Sequence, residues 1–320
     1  MRREIITWSI VVGALVAAFA GTVLVLNSTL YSAGGFVRGY LDSLARHDVE
    51  GALELAGTIA AGDASDELLT ASALGELTDL ELVSDTAQPE GTHRVVFSFT
   101  ADGRSGQSTF SVRPEGTFLG LFPTWGFESS PLGVLQVSPL HGTGFTVNGV
   151  EVVADAQDQP SPYLVFAPGS YELGSDSRFL TASPVTITAS QPGAAVIGVV
   201  ELYPTAEFVE QVQKEADQYL DECATQRVLL PTGCPFGEEI SNRIVGTPEW
   251  SISTYPPVSL QPGTEPGSWM MPATPGAARL VVDVRSLFDG MVTPFDQDVP
   301  FTSSYVVTFL GDDRLLINVQ

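Results

Sequence analysis

Lysine is almost missing from this sequence. Lys214 stands alone, and 14 basic residues face 38 acidic ones, for a formal net charge of −24. That field repels nucleic acid and offers phosphate groups little to bind. It keeps a surface soluble and attracts cations or a basic partner. Cysteine is nearly as scarce, with only Cys223 and Cys234. Two cysteines with no histidine close by make a poor zinc site. A redox-active pair usually has two residues between the cysteines, and here there are ten. The three histidines, His47, His93 and His141, fall in separate contexts: a helix end, a strand start and a turn beside Gly142. No G-x-S-x-G elbow, phosphate loop, G-x-G-x-x-G after a strand, or H-E-x-x-H occurs. The reading is therefore of no catalytic residue, no cofactor and no metal site.

Charge is also missing from one long stretch. After Met1-Arg2-Arg3-Glu4, residues 5–26 read IITWSIVVGALVAAFAGTVLVL, without a charged side chain. As a helix they span about 33 Å, enough to cross the hydrocarbon core of a bilayer. Their polar members, Thr7, Ser9 and Thr22, can bond backbone carbonyls one turn back. A buried globular helix of this length normally keeps a polar face, and none is present. Residues 1–4 are thus read as a cytoplasmic tail, with Arg2 and Arg3 holding the N-terminus inside. Residues 5–26 are read as a single-pass membrane helix, with everything after Asn27 extracytoplasmic. A cleaved signal peptide is the competing reading, because Ala18-Phe19-Ala20 has the small-x-small form of a cleavage site. Apolar sequence continues past that site, which favours the anchor. Either reading exports the rest of the chain.

In an oxidising compartment, Cys223 and Cys234 are most simply a disulfide. From Ala206 to about Gln226, Phe208, Val212, Ala216, Tyr219 or Leu220, and Cys223 recur on one helical face. Pro231-Thr232-Gly233 then turns the chain back towards Cys223.

Punctuation divides the exported part into three modules. Residues 27–130 open with a helix, Ala33 to Arg46, followed by a second helix capped by Asp48. A polar, helix-favouring stretch, Asp63 to Gly75, precedes four strands: Asp79–Ser84, His93–Ala101, Gln107–Arg113 and Phe118–Phe122. Asp102-Gly103 marks a hairpin turn. Residues 131–203 read as a small β-sandwich, with turns at Asn148-Gly149 and Pro168-Gly169. Residues 204–320 carry the cysteine helix and a proline- and glycine-rich loop, Tyr255 to Gly276. Strands follow at Arg279–Ser286, Tyr305–Leu310 and Arg314–Val319, with turns at Asp289-Gly290 and Gly311-Asp312-Asp313. The expected fold class is α+β: helix-on-antiparallel-sheet modules flanking a small all-β module.

The segment SAGGFVRGYLDSLARHDVEGALEL resembles the opening helices of nuclear-transport-factor-like (cystatin-like) domains in bacterial envelope proteins. SPLHGTGFTVNGVEV and LVFAPGSYEL resemble a PEGA-like β module. The order of elements is similar to that of the TcaA-type membrane proteins of Gram-positive bacteria. What the resemblance implies is envelope association, with no catalytic residue to carry over. TcaA-type proteins usually bear a cytoplasmic zinc ribbon, whereas four residues without cysteine stand here, so signalling through such a ribbon is not implied.

Acidic clusters at Asp63/Asp66/Glu67, Asp155/Asp158 and Asp296/Asp298 offer oxygens to calcium, but none has the spacing of an EF-hand loop. Trp125, Trp250 and Trp269 lie beside Pro and Gly, where aromatic residues line glycan or peptide grooves or simply pack in cores. The functional expectation is a non-enzymatic, membrane-anchored binding or scaffold protein of the bacterial envelope. Its partners would be the lipid bilayer through residues 5–26, and cell-wall polymer or another envelope protein. The alternatives are a small-ligand-binding or catalytic cone-shaped domain, and a structural spacer.

Overall fold

A computed structural model describes residues 2–57, 62–310 and 314–319. The turn expected at Gly311-Asp312-Asp313 lies outside the described residues. Two compact units are present. The first holds residues 1–139, 144–174 and 183–200, and the second holds residues 140–143, 175–182 and 201–320.

The first unit begins with α1 (Arg2–Ser28), one helix long and apolar enough to cross a membrane. Within it, Thr22 Oγ1 bonds the Ala18 carbonyl at 2.9 Å, one turn back. Next come α2 (Ala33–Ala45) and α3 (Val49–Ala56). Ser32 caps the former, and Asp48 caps the latter by accepting from the Gly51 amide at 3.0 Å. A four-stranded antiparallel sheet, β1 (Leu77–Ala87), β2 (His93–Ala101), β3 (Arg104–Phe118) and β4 (Phe122–Phe127), runs in chain order. Alternation makes this sheet two-faced: Val95, Phe97, Phe99 and Ala101 are buried on β2, with Phe110 and Val112 beside them on β3. Val37, Tyr40, Leu41 and Leu44 of α2 join the same core. The Tyr40 hydroxyl reaches the Pro131 and Ala167 carbonyls at 3.4 and 3.2 Å, and burial pushes its pKa well above the usual tyrosine value.

Short strands complete this unit: β5 (Leu132–Leu140), β6 (Gly144–Val147), β7 (Val150–Val153), β8 (Ser161–Phe166), β9 (Gly169–Asp176), β10 (Leu180–Ala189) and β11 (Ala195–Glu201). One sheet has the order β10-β9-β6-β7, and another has the order β11-β5-β8. Asn148 and Gly149 both have positive φ (48° and 80°), as a two-residue β6–β7 hairpin turn requires.

In the second unit, β12 (Tyr203–Pro204) pairs with Leu180 and Thr181 at the start of β10. Helix α4 (Ala206–Ala224) follows, capped by Thr205. Then come β13 (Arg243–Thr254), β14 (Gln261–Pro262), β15 (Ser268–Arg285), β16 (Val292–Phe309) and β17 (Leu315–Val319). They form an antiparallel sheet of order β13-β15-β16-β17, with β14 added along β15. Phe208, Val212, Ala216, Leu220 and Cys223 are the buried stripe of α4. Cys223 and Cys234 lie at disulfide-bonding distance, with S–S 2.04 Å.

The α+β expectation, helix-on-antiparallel-sheet modules flanking an all-β one, is overturned. The chain is mostly β, with 49% of residues in strands and 21% in helices, and α1 alone is 27 residues long. Two sequence signals misled. Polar Asp63–Gly75 has helix-favouring composition, yet its described helical content is a single turn, Ala71–Ala73. The backbone of Ser65 instead pairs with β8, accepting from Leu164 at 2.8 Å and donating to Pro162 at 2.9 Å. The proline-rich stretch expected to be a loop from Tyr255 to Gly276 supplies the first half of the 18-residue β15. Pro272 sits at a register shift between Met271 and Thr274, where a missing N–H breaks no ladder bond.

The Cys223–Cys234 link closes a short loop (sequence separation 11). Its removal by Cys223→Ser with Cys234→Ser should lower the unfolding free energy of the second unit by about 3 kcal/mol on loop entropy. Urea unfolding of the full chain in detergent, read from the Trp250 and Trp269 signals, checks this. An unchanged midpoint would contradict it.

Candidate functional site

The residues singled out in sequence do not converge. His47 has φ 57° beyond the end of α2, and its Nδ1 lies 3.1 Å from the Ala71 carbonyl. His93 Nδ1 is 2.5 Å from Asp85 Oδ1, with its ring edge-on to Trp125 at 4.9 Å. His141 packs edge-on against Trp269 at 6.3 Å, both within the second unit. Asp296 is held by Arg279 through two bonds of 2.6 and 2.7 Å. This pairing lowers the Asp296 carboxyl pKa and raises that of the guanidinium. Among the described residues, no group of three or more His, Cys, Asp or Glu is arranged to hold a metal ion.

The tryptophans divide. Trp250 and Trp269 are buried, and the Trp250 indole donates to the Val228 carbonyl at 2.8 Å. The face of β15 and β16 that carries Trp269, Met271, Tyr305 and Val307 is filled by these side chains together with Phe208, Val212 and Ala216 of α4. Trp269 Nε1 is buried there with no hydrogen-bond partner among the described residues. Outside this core, the Tyr255 hydroxyl donates to Asp221 at 2.5 Å, which pushes its pKa up to about 12.

The feature that stands out as a built surface is the hairpin tip joining β15 to β16. Its ladder runs to the pair Arg285↔Val292, so residues 286–291 form the loop. Ser286 organises it. Its amide donates to the Met291 carbonyl at 2.9 Å, and its carbonyl accepts from Gly290 at 3.0 Å. Its hydroxyl accepts from the Phe288 amide at 3.2 Å. Asp289 Oδ1 accepts from the Met291 amide at 3.1 Å, and Asn242 Oδ1 from Leu287 at 3.3 Å. Gly290 has φ 75°, a conformation in which a side chain is strained. The polar groups of the loop are thus turned on its own backbone. What faces outward is apolar: Phe288 is 99% exposed, Leu287 74% and Met291 63%, with Val292 beside them.

A loop tip normally carries polar residues, and a cluster of exposed apolar ones marks a contact surface. Because the loop is already ordered, docking it costs little further conformational entropy. Asp289-Gly290 is legible in the sequence as a turn, but the surface around it is not found by turn chemistry alone. The available signal is the Leu-Phe and Met-Val that flank the turn dipeptide on both sides.

No family model, curated protein or solved structure matches the chain.

Hydrogen bonds from Ser286 and from the Met291 amide hold the Asp289 carboxyl below its ordinary pKa. A carboxylate depressed in the folded state stabilises the loop above its unfolded pKa of about 4, and that contribution is lost as pH falls through the folded value. Exchange protection of the Met291 amide should therefore be flat from neutral pH down to about 4 and fall below it. Asp289→Ala should remove the protection even at neutral pH. Equal protection in both chains would contradict the assignment.

Proposed function

We propose that this chain is a membrane-anchored, non-enzymatic binding or scaffold protein of the bacterial cell envelope. In this reading α1 is a retained single-pass anchor, with its N-terminus in the cytoplasm and both units outside. The partner is another envelope protein, engaged through Leu287, Phe288 and Met291.

The observation that carries the reading is the ordered apolar tip of the β15–β16 hairpin. An exposed phenylalanine flanked by leucine and methionine fits an apolar pocket on a protein. Cell-wall polymer is a poorer match. Hydroxyl-rich ligands need polar groups beside the ring, and Ser286 and Asp289 already use theirs inside the turn. The order of elements that resembles TcaA-type envelope proteins supports a place in the envelope, on motifs alone.

A photoreactive residue at Phe288 in intact cells is expected to form a discrete protein adduct, while one at exposed Gln297 on the same hairpin forms none. Leu287→Asp should abolish the adduct without changing thermal unfolding, since that side chain faces solvent. Lipid adducts alone, or equal labelling at Phe288 and Gln297, would contradict the proposal.

A further inference from the structure

We infer that the β3–β4 hairpin tip is a lipid contact: Phe118, Leu119 and Leu121 rest in the interfacial layer of the same bilayer that α1 crosses. This rests on α1 being a membrane span and concerns a surface separate from the β15–β16 tip.

Three contacts tie the tip to the end of that helix. Asn27, the residue after the apolar run, donates its side-chain amide to the Leu121 carbonyl at 3.0 Å. Tyr31 stacks on Phe122 with ring centroids 4.4 Å apart. The Trp125 indole donates to the Tyr31 carbonyl at 2.9 Å. These contacts close around the exit of α1 from the hydrocarbon. Asn27 lies about 1.5 Å along the axis from Leu26, the last residue of the apolar run. The headgroup layer beyond the hydrocarbon is about 5–7 Å deep on each side. A tip bonded to Asn27 is therefore held at the depth of that layer.

Composition matches the place. In a chain of net charge −24, residues 116–127 read GTFLGLFPTWGF, with no charged side chain. Leu119 is 75% exposed and Phe118 54%, and Leu121 and Leu30 are exposed beside them. Tyr31 and Trp125 are the residue types that collect at membrane–water boundaries. The turn itself adds weight. Leu119 and Gly120 take φ of 53° and 66°, closed by the Leu121 amide on the Phe118 carbonyl at 3.1 Å. Asn or Asp is favoured at the first of these positions, and a leucine there is held in a conformation unfavourable to it. A bulky apolar side chain at that position is explained by what it touches, not by the turn. A protein pocket is the other occupant that an apolar tip suits. The bonds to Asn27 favour lipid, because they fix the tip beside the bilayer whatever else is present.

The test uses the full chain in liposomes of mixed zwitterionic and anionic phospholipid. An environment-sensitive fluorophore is attached at Leu119→Cys, at Ser105→Cys or at Gly13→Cys, in separate samples. Ser105 lies on the same strand, roughly 40 Å from Phe118. Lipids spin-labelled near the headgroup should quench the Leu119 probe several times more strongly than the Ser105 probe and shift its emission to the blue. Lipids labelled deep in the chain should quench the Gly13 probe. If Gly13 is quenched but Leu119 behaves like Ser105, the lipid contact is overturned and the anchor stands. If Gly13 is not quenched either, the anchor reading falls with it.

Discussion

The constraint on which the rest depends is the uncovered surface of α1. No part of its 18-residue apolar window is buried within the chain, and Leu15, Val16, Phe19, Leu24 and Val25 are each more than half exposed. Burying such side chains is worth about 1.5–3 kcal/mol apiece, so these five alone represent on the order of 10 kcal/mol of uncompensated apolar surface. Neither unit offers them a groove. In the proposed reading a bilayer covers them, and the length of the run matches the thickness of its hydrocarbon core.

That constraint orders the rest of the chain. The sheet β1–β4 is attached where the helix ends, through Asn27, Tyr31 and Trp125, so the first unit is not tethered by a slack linker. The Asn27 side-chain N–H and the Trp125 indole N–H would be costly to bury unpaired, and each is paired here with a backbone carbonyl, while the Tyr31 ring stacks on Phe122. In the second unit, a long hairpin ends in a loop whose polar groups are internally bonded and whose apolar ones are displayed. The two tips share one design. Backbone geometry is fixed by glycine at positive φ and by local hydrogen bonds, which frees the remaining side chains from holding the turn.

Much of this was legible in the sequence where local chemistry decides. The uncharged run at residues 5–26 falls within the span of α1. The 3.6-residue stripe from Phe208 to Cys223 is the buried face of α4, and it brings Cys223 to Cys234. Alternation in His93–Ala101 gave β2 to the residue. Legibility failed where long-range pairing overrides local preference. Pro272 and Pro275 argued for a loop, yet β15 runs through them. Its partner strands supply the pairing, and the register shift absorbs one of the breaks. Asp63–Gly75 failed for a related reason: Ser65 bonds to β8, and the remaining local bonds close single turns and build no α-helix. Those misjudgements tilted the expectation towards α+β. The apolar tips escaped notice because pattern reading asks which hydrophobic residues face a core, and these clusters face none.

The central claim is that α1 anchors an ectodomain on the far side of the membrane. The most direct measurement is labelling of a cysteine placed at Gln320 by a membrane-impermeant maleimide in intact cells, against the same chain in lysed cells. The account predicts equal labelling before and after lysis, with the protein remaining in the membrane fraction through alkaline extraction. Labelling only after lysis would reverse the orientation, and release by alkali would remove the anchor.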